Sequence, residues 1–157
     1  MMKLGLATAG AVVILDQASK TAVLAHFAGS PDADTVTPFF NLVLTFNRGM
    51  SFGLFNTGSR SAVNAWLFSL AAAIIVIGLV LWLRRVTSPL LGLAIGLVVG
   101  GALGNVIDRI RYGAVVDFLD FHIANYHWPA FNLADSAICL GVVAMLLESL
   151  LIRREAH

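Results

Sequence analysis

The sequence predicts an all-α membrane protein: four transmembrane helices, a small β-containing cap on the outer face, and both termini on the cytoplasmic side. Three observations carry this. Hydrophobic residues make up 59% of the 157 residues and charged residues 12%, roughly half the charged share of an ordinary soluble domain. Ser61 to Leu83, between Arg60 and Arg84, and Val86 to Ile107, before Asp108, carry no charge at all. Each exceeds the roughly 20 residues that cross about 30 Å of hydrocarbon. Finally, Lys3, Arg84-Arg85 and Arg153-Arg154 abut span ends, which sets those ends on the cytoplasmic side.

The first span runs from Leu4 to about His26, apolar through Leu15 and then interrupted by Asp16 and Lys20. Its start also resembles a secretory signal peptide, but no small-x-small cleavage site closes the apolar run. Outer polar sequence is confined to about residues 27 to 60 and 111 to 130. In the first of these, Gly29-Ser30-Pro31-Asp32 is turn chemistry, and Thr35 to Phe46 is rich in β-branched and aromatic residues. It reads as one or two short strands lying on the membrane surface. In the second, Tyr112, Tyr126 and Trp128 with Phe118 and Phe121 read as an interfacial aromatic belt.

The second and third spans form a hairpin about Arg84-Arg85, too short to translocate readily. The third span carries Gly92, Gly96, Gly100 and Gly104, a small-xxx-small row that lets helix backbones approach closely. On the adjoining face, Gly101, Asn105 and Arg109 end in polar groups that face lipid only at high cost, so this row is expected to look into something wet. The fourth span runs from about Phe131 to Ile152, broken only by Asp135 and Glu148. With no repeat or linker, residues 1–157 read as one integral membrane domain.

A net charge of +1 leaves no basic patch for nucleic acid. The single Cys139, mid-span, behaves as a small hydrophobe and supports no disulfide framework. Acid chemistry is more promising. Seven of the nine acidic residues, Asp16, Asp32, Asp34, Asp108, Asp117, Asp120 and Asp135, fall on the outer side. Asp117 in Val115-Val116-Asp117-Phe118 and Asp135 in Phe131-Asn132-Leu133-Ala134-Asp135 lie beside very apolar sequence, where an unpartnered charge costs roughly 2.5 to 3.5 kcal/mol at mid-bilayer.

The third span leaves and the fourth enters at the outer face, so Asp117 and Asp135 are tethered to neighbouring helix ends. Asp108 opposes the helix dipole and needs a partner, with Arg109, Arg111 and Asn105 as candidates. Three acids, Asn105 and Asn132, and Arg109 and Arg111 are therefore expected at one depth. Asp16 and Lys20, four apart, are expected to pair on one face of the first helix, apart from the third and fourth helix ends, as a structural ion pair or as a brace for the site. Asn132 and Asp135 also fit a helix start, Asn as N-cap and an acid at N3.

Other chemistries fit less well. Ser19 and Lys20 point in different directions on a helix, and Ser51 sits in no nucleophile motif. His122 and His127, five apart beside Asp120, match neither helical nor strand faces well enough for a metal site. An ion or proton relay through Asp16-Lys20, Asp108-Arg109 and Asp135 would need polar groups at mid-depth, whereas these crowd toward one face. A packing subunit would scatter its polar pairs.

Taken together, Asp16-Gln17-Ala18-Ser19-Lys20, Asn47-Arg48-Gly49-Met50-Ser51-Phe52-Gly53, Gly100-Gly101-Ala102-Leu103-Gly104-Asn105-Val106-Ile107-Asp108-Arg109, Val116-Asp117-Phe118 and Phe131-Asn132-Leu133-Ala134-Asp135 resemble, in order and spacing, the bacterial lipoprotein signal peptidases (signal peptidase II). The resemblance covers nearly the whole chain. It implies an aspartyl endopeptidase that cleaves prolipoproteins on the amino side of a diacylglyceryl-modified cysteine. Asp117 and Asp135 would be the catalytic pair, while Asp16, Lys20, Asn47, Gly101, Asn105, Arg109 and Asn132 would brace the site and orient substrate. It further implies a monomer in the bacterial cytoplasmic (inner) membrane, among membrane lipids, with its site near the periplasmic face and no cofactor or metal. Met50 departs from the commoner alanine. The residues agree with this chemistry: two neighbouring carboxylates share one proton, so one form donates it while the other activates water. Which aspartate holds the proton, which lipoproteins are cleaved and whether the cap moves stay open.

Overall fold

The computed structural model describes residues 1–29, 31–48 and 61–155, with side chains described from 66 to 151 in the last stretch. Four helices, α1 (Met2–His26), α2 (Ser61–Leu83), α3 (Pro89–Tyr112) and α4 (Leu133–Glu155), are joined by strands β1 (Ala33–Thr37), β2 (Phe40–Asn47), β3 (Val115–Ile123) and β4 (Tyr126–His127). Among the described residues, α2, α3 and α4 are long and apolar enough to cross a membrane. The 25-residue α1 is as long but does not join them; the run Asp16-Gln17-Ala18-Ser19-Lys20 lowers the apolar character of its second half. Four helices stand where four were expected, therefore, and three carry the apolar signature of a span.

α3 is the axis of the bundle. Of its apolar window 61% is buried, against 11% for α2. The glycine row explains the close approach of α1: a Cβ at Gly96 would lie 2.5 Å from the Gly5 carbonyl, and one at Gly100 2.7 Å from that of Ala9. Only hydrogen side chains let these backbones meet. Gly141 of α4 is equally closed, against the Ala94 carbonyl and Val98. At the loop between α2 and α3, Leu83, Val86, Ile95, Val99 and Ala9 form an apolar cluster. Ser88 caps α3 by accepting from Leu91 N at 3.3 Å, and Pro89 follows at its first position, where a missing N–H costs nothing. The lone Cys139 lies on the exposed side of α4.

The cap holds a sheet in the order β1-β2-β3-β4, antiparallel throughout. Two strands, β1 and β2, cover most of Thr35 to Phe46, the segment read as one or two strands, and run one or two residues beyond it at either end. β3 is not expected from the sequence: residues 111 to 130 read as outer polar sequence with a belt of aromatics, yet the β-branched and aromatic run Val115–Ile123 forms nine residues of strand. Phe118 leaves the predicted belt altogether. It is buried against Val23 and Phe27 of α1, because the strand's alternation turns it inward, whereas Tyr112, Phe121, Tyr126 and Trp128 are exposed. Gly113 ends α3 in the left-handed conformation, φ 68°, and β3 begins two residues later. That short link ties the sheet to the end of α3.

Candidate active site

The ends of α1, α3 and α4 next to the sheet share a buried polar network, which has two halves. In the first, the Lys20 ammonium donates to Asp16 Oδ2 at 2.9 Å, Asp108 Oδ2 at 2.7 Å and Asn105 Oδ1 at 3.1 Å. Those three acceptors match the three donors an ammonium carries. Lys20, Asp16 and Asp108 are 2%, 0% and 0% exposed, so the charges are compensated inside the protein rather than by water. The expected Asp16–Lys20 pair is present, but it does not stand apart from the other helix ends. Asp16 Oδ1 accepts from Ala134 N at 3.0 Å in the first turn of α4, where the positive helix end favours an acid, and Lys20 is tied to α3.

Of the partners expected from its neighbours in sequence, Arg109 interacts with Asp108 through its charge, while the hydrogen bonds to this carboxylate come from elsewhere. It accepts from Lys20, from Gln17 Nε2 at 2.8 Å and from Val116 N at 3.1 Å. Arg111 leaves the cluster: its guanidinium reaches Gln17 Oε1 at 3.2 Å and lies over the Tyr112 ring. Gly101 does not look into a wet space either. It packs against the Ala134 carbonyl and Ile138, which brings α3 and α4 together just below the polar groups.

The second half holds Asp117 and Asp135. Asp117 comes from β3, not from a helix. Its Oδ1 accepts from Asn132 Nδ2 at 2.7 Å and its Oδ2 from Asn47 Nδ2 at 3.0 Å. Asp135, in the first turn of α4, accepts from Asn105 Nδ2 at 2.9 Å. Asn132 joins the two acids, for its Oδ1 also accepts from Asp135 N at 2.9 Å. It therefore caps α4 as the sequence predicts and holds Asp117 at the same time. Asn105 joins the two halves, accepting from Lys20 and from Asn132 Nδ2 at 3.3 Å while donating to Asp135.

The surroundings of Asp117 set its proton affinity. Burial, and after it the charge of Asp135, pushes its pKa up to about 7; the Asn47 and Asn132 hydrogen bonds and the Lys20 charge pull the other way and are outweighed. At neutral pH this carboxyl exchanges a proton readily. Arg109 approaches the Asn105 carbonyl at 3.4 Å and lies over the Phe68 ring, its guanidinium carbon 5.9 Å from the centroid. Together with Asn105 it forms the polar end of a crevice of about 360 Å³ whose remaining walls include Phe68, Ala72, Ile75, Ala102 and Ile138. An apolar cleft thus ends at Asn105, the residue that donates to Asp135.

With this geometry in hand, the comparisons with known proteins are decisive. The model of the family described as signal peptidase (SPase) II matches residues 8–151. The chain belongs to the signal peptidase II family. Relatives named lipoprotein signal peptidase agree: that of Methylobacterium radiotolerans is 48% identical over 145 residues, covering 88% of this chain and 80% of its own. That of Nitrobacter hamburgensis is 44% identical over 155 residues, covering 96% and 93%. Two solved structures of bacterial membrane enzymes, obtained by the in meso method, share the fold: TM-scores 0.77 and 0.75 at 32% and 34% identity, each covering 93% of this chain and 87% and 92% of theirs.

Of the residues singled out from sequence, Asp16, Lys20, Asn47, Asn105, Asp117, Asn132 and Asp135 join one hydrogen-bonded network, Arg109 borders it and Gly101 packs beneath it. Met50 and Ser51 lie outside the described residues. Sequence reasoning missed the parts played by Gln17 and Asp108. Gln17 sits beside Asp16 in the quoted motif, but adjacency on a helix does not reveal that one side chain reaches across to α3. His122 and His127 face each other across the β3–β4 hairpin, rings stacked at 4.8 Å, and His127 pairs with Asp120 at 2.8 Å. Burial works to raise the Asp120 pKa, but hydrogen bonds from Asn41 and His127 outweigh it and hold Asp120 below the usual carboxylate range. This cluster fastens the far end of the cap.

Proposed function

We propose that the protein is an aspartyl endopeptidase that removes the signal peptide of prolipoproteins, cleaving on the amino side of a diacylglyceryl-modified cysteine. The observation that carries this reading is the coupling of Asp117 and Asp135 through Asn132, next to an apolar crevice whose polar end is Asn105 and Arg109. Asp117 holds the shared proton at rest and gives it to the scissile carbonyl. Asp135, oriented by Asn105, takes a proton from water as the water oxygen attacks the carbonyl carbon. On collapse of the tetrahedral diol Asp135 gives its proton to the departing amine while Asp117 takes one back from a hydroxyl of the adduct, so the pair ends with one proton as it began.

The remaining residues hold this arrangement. Asn47 and Asn132 aim Asp117, Asp16 and Lys20 brace the helix ends, Gly101 lets α3 and α4 approach, and Arg109 orients the substrate at the crevice. Acyl chains and the apolar signal segment enter from the bilayer between α2 and α4, while the peptide bond stays at the wet face. Residues 1–157 form one integral domain of four spans with both termini cytoplasmic, a monomer in the inner membrane whose site lies near the periplasmic face. Purified protein in lipid vesicles should cleave a prolipopeptide carrying the diacylglyceryl group and leave its unlipidated form intact. Equal cleavage of both, or of neither, would defeat the reading.

A further inference from the structure

Asp108 never touches the reacting pair, yet its burial and bonding are those of a residue with a task. Three donors from three elements converge on its carboxylate: Gln17 from α1 on Oδ1, and on Oδ2 both the Lys20 ammonium and the main-chain N–H of Val116. Val116 immediately precedes Asp117 and is fully buried. At Val116 and Phe118 the N–H groups of β3 do not serve the ladder with β2; Phe118 N donates to the Phe131 carbonyl at 3.0 Å, and Val116 N donates to Asp108. The Val116 carbonyl in turn accepts from Asn132 Nδ2 at 3.3 Å. Both main-chain groups of the residue before Asp117 are thus held by side chains, one from α3 and one from the cap of α4.

Lys20 would be neutralised whatever else Asp108 did, since Asp16 already faces it. The bond to Val116 is different in kind, because it closes the segment from the last turns of α3 through Gly113 into β3 and sets how far the strand reaches toward α4. Gln17 bridges outward, donating to Asp108 and accepting from Arg111, and so holds the carboxylate from its open side.

Resting on the proteolytic reading above, we infer that Asp108 is a positioning residue for the reaction: through the Val116 N–H it sets where β3 presents Asp117 to Asp135, with Gln17 holding Asp108 from α1. It exchanges no proton with substrate. The role differs from that of the ion pair, because it needs an oxygen acceptor at Val116 and not a charge.

The test compares Asp108→Ala with Asp108→Asn in the full chain in lipid vesicles, using a lipidated prolipopeptide. The alanine variant should lose about 100-fold in kcat with KM within about threefold, the signature of a displaced reacting group. Its Val116 amide should exchange with solvent about tenfold faster or more at a temperature where the helices stay protected. The asparagine variant keeps an oxygen for Val116 once Gln17 turns its amide, so kcat should return to within about tenfold of wild type even though thermal stability stays lowered. If the two variants lose kcat equally and in step with stability, or if Val116 stays protected in Asp108→Ala, the assignment falls. Should the alanine variant not fold, Gln17→Leu leaves the Lys20 pair intact and should lower kcat about threefold or more at unchanged KM; unchanged kcat there would overturn the inference. Amide exchange needs no substrate, so failure of the wild type to cleave would count against the peptidase reading and not against the role of Asp108.

Discussion

Two pairs of aspartates lie within one polar network and are held in opposite ways. Asp16 and Asp108 share a cation, Lys20, which gives each a bond shorter than 3.0 Å. Asp117 and Asp135 accept hydrogen bonds from the amides of Asn47, Asn105 and Asn132, with the Arg109 charge acting on both. A carboxylate matched by a buried cation is a strut: its charge is compensated in place, and a change in its protonation would break the bonds that hold three helices. A carboxylate held by amides beside another acid keeps its geometry in either protonation state, because an amide donor serves a carboxyl oxygen with or without the proton. Burial, and after it the charge of Asp135, raises the Asp117 pKa to about 7 against the pull of those amides. On the proposed function, the same residue type thus supplies scaffold and reactive group within one cluster, and the neighbours decide which.

The sharpest break of this contrast is to remove the reactive pair. Asp117→Asn or Asp135→Asn should lower kcat by about 10³-fold or more while the protein still inserts and folds, since an amide neither takes nor returns the proton. The double variant should be scarcely worse than either single one, because the pair acts as a unit. Turnover of a tenth of wild type in either single variant would remove that residue from the pair.

Removing the strut should act on the fold first. Lys20→Met leaves Asp16 and Asp108 buried without their cation and should cost about 3–5 kcal/mol in unfolding free energy. Asp16→Ala should cost less, because Lys20 keeps Asp108, and Asp16→Asn with Lys20→Gln should recover part of the loss. Denaturant titration in detergent gives the order; Asp16→Ala proving worse than Lys20→Met would reverse the account.

Smaller effects follow from the pH dependence. Above pH 7 the proton on Asp117 is lost, so kcat/KM should fall along an alkaline limb near that value. Asn47 lowers the Asp117 pKa, so Asn47→Ala should move the limb to higher pH; a shift to lower pH would contradict the assignment. The same raised pKa has a stability consequence. Between about pH 4 and 7 the folded state binds a proton that the unfolded state lacks, so this residue's contribution to stability falls as pH rises through that window. Asp117→Asn should flatten the slope of melting temperature against pH. The smallest change belongs to the far end of the cap. His127→Ala removes a half-exposed partner of Asp120 and should cost within about 1 kcal/mol, leaving cleavage unaltered.

Much of this architecture is legible along the chain. Uncharged runs of span length and the glycine row on α3 come from composition and helical periodicity, which are local properties. The motifs around Asp117 and Asp135 likewise point to paired carboxylates and to the family. The β3 strand was harder to see, since a nine-residue apolar segment with aromatics fits an interfacial belt as well as a strand; only pairing with β2 discriminates, and β2 lies some seventy residues away. Asp108 was hard to read for the same reason: Arg109, beside it in sequence, acts on it through charge, but its hydrogen-bond donors Gln17, Lys20 and Val116 come from α1 and β3.

By itself, then, the sequence determined the membrane class, the long helices and the family, and pointed to the two acids proposed as the reacting pair, because each is written in spacing or in local composition. Tertiary structure alone decided which acid meets a cation and which meets amides. That choice depends on Lys20 and Gln17 of α1 reaching Asp108 across Gly104 and on Asn132 turning from its cap toward β3. Proton affinity in a buried cluster is set by the few groups within hydrogen-bonding reach, and at this site those groups come from elements far apart in the chain.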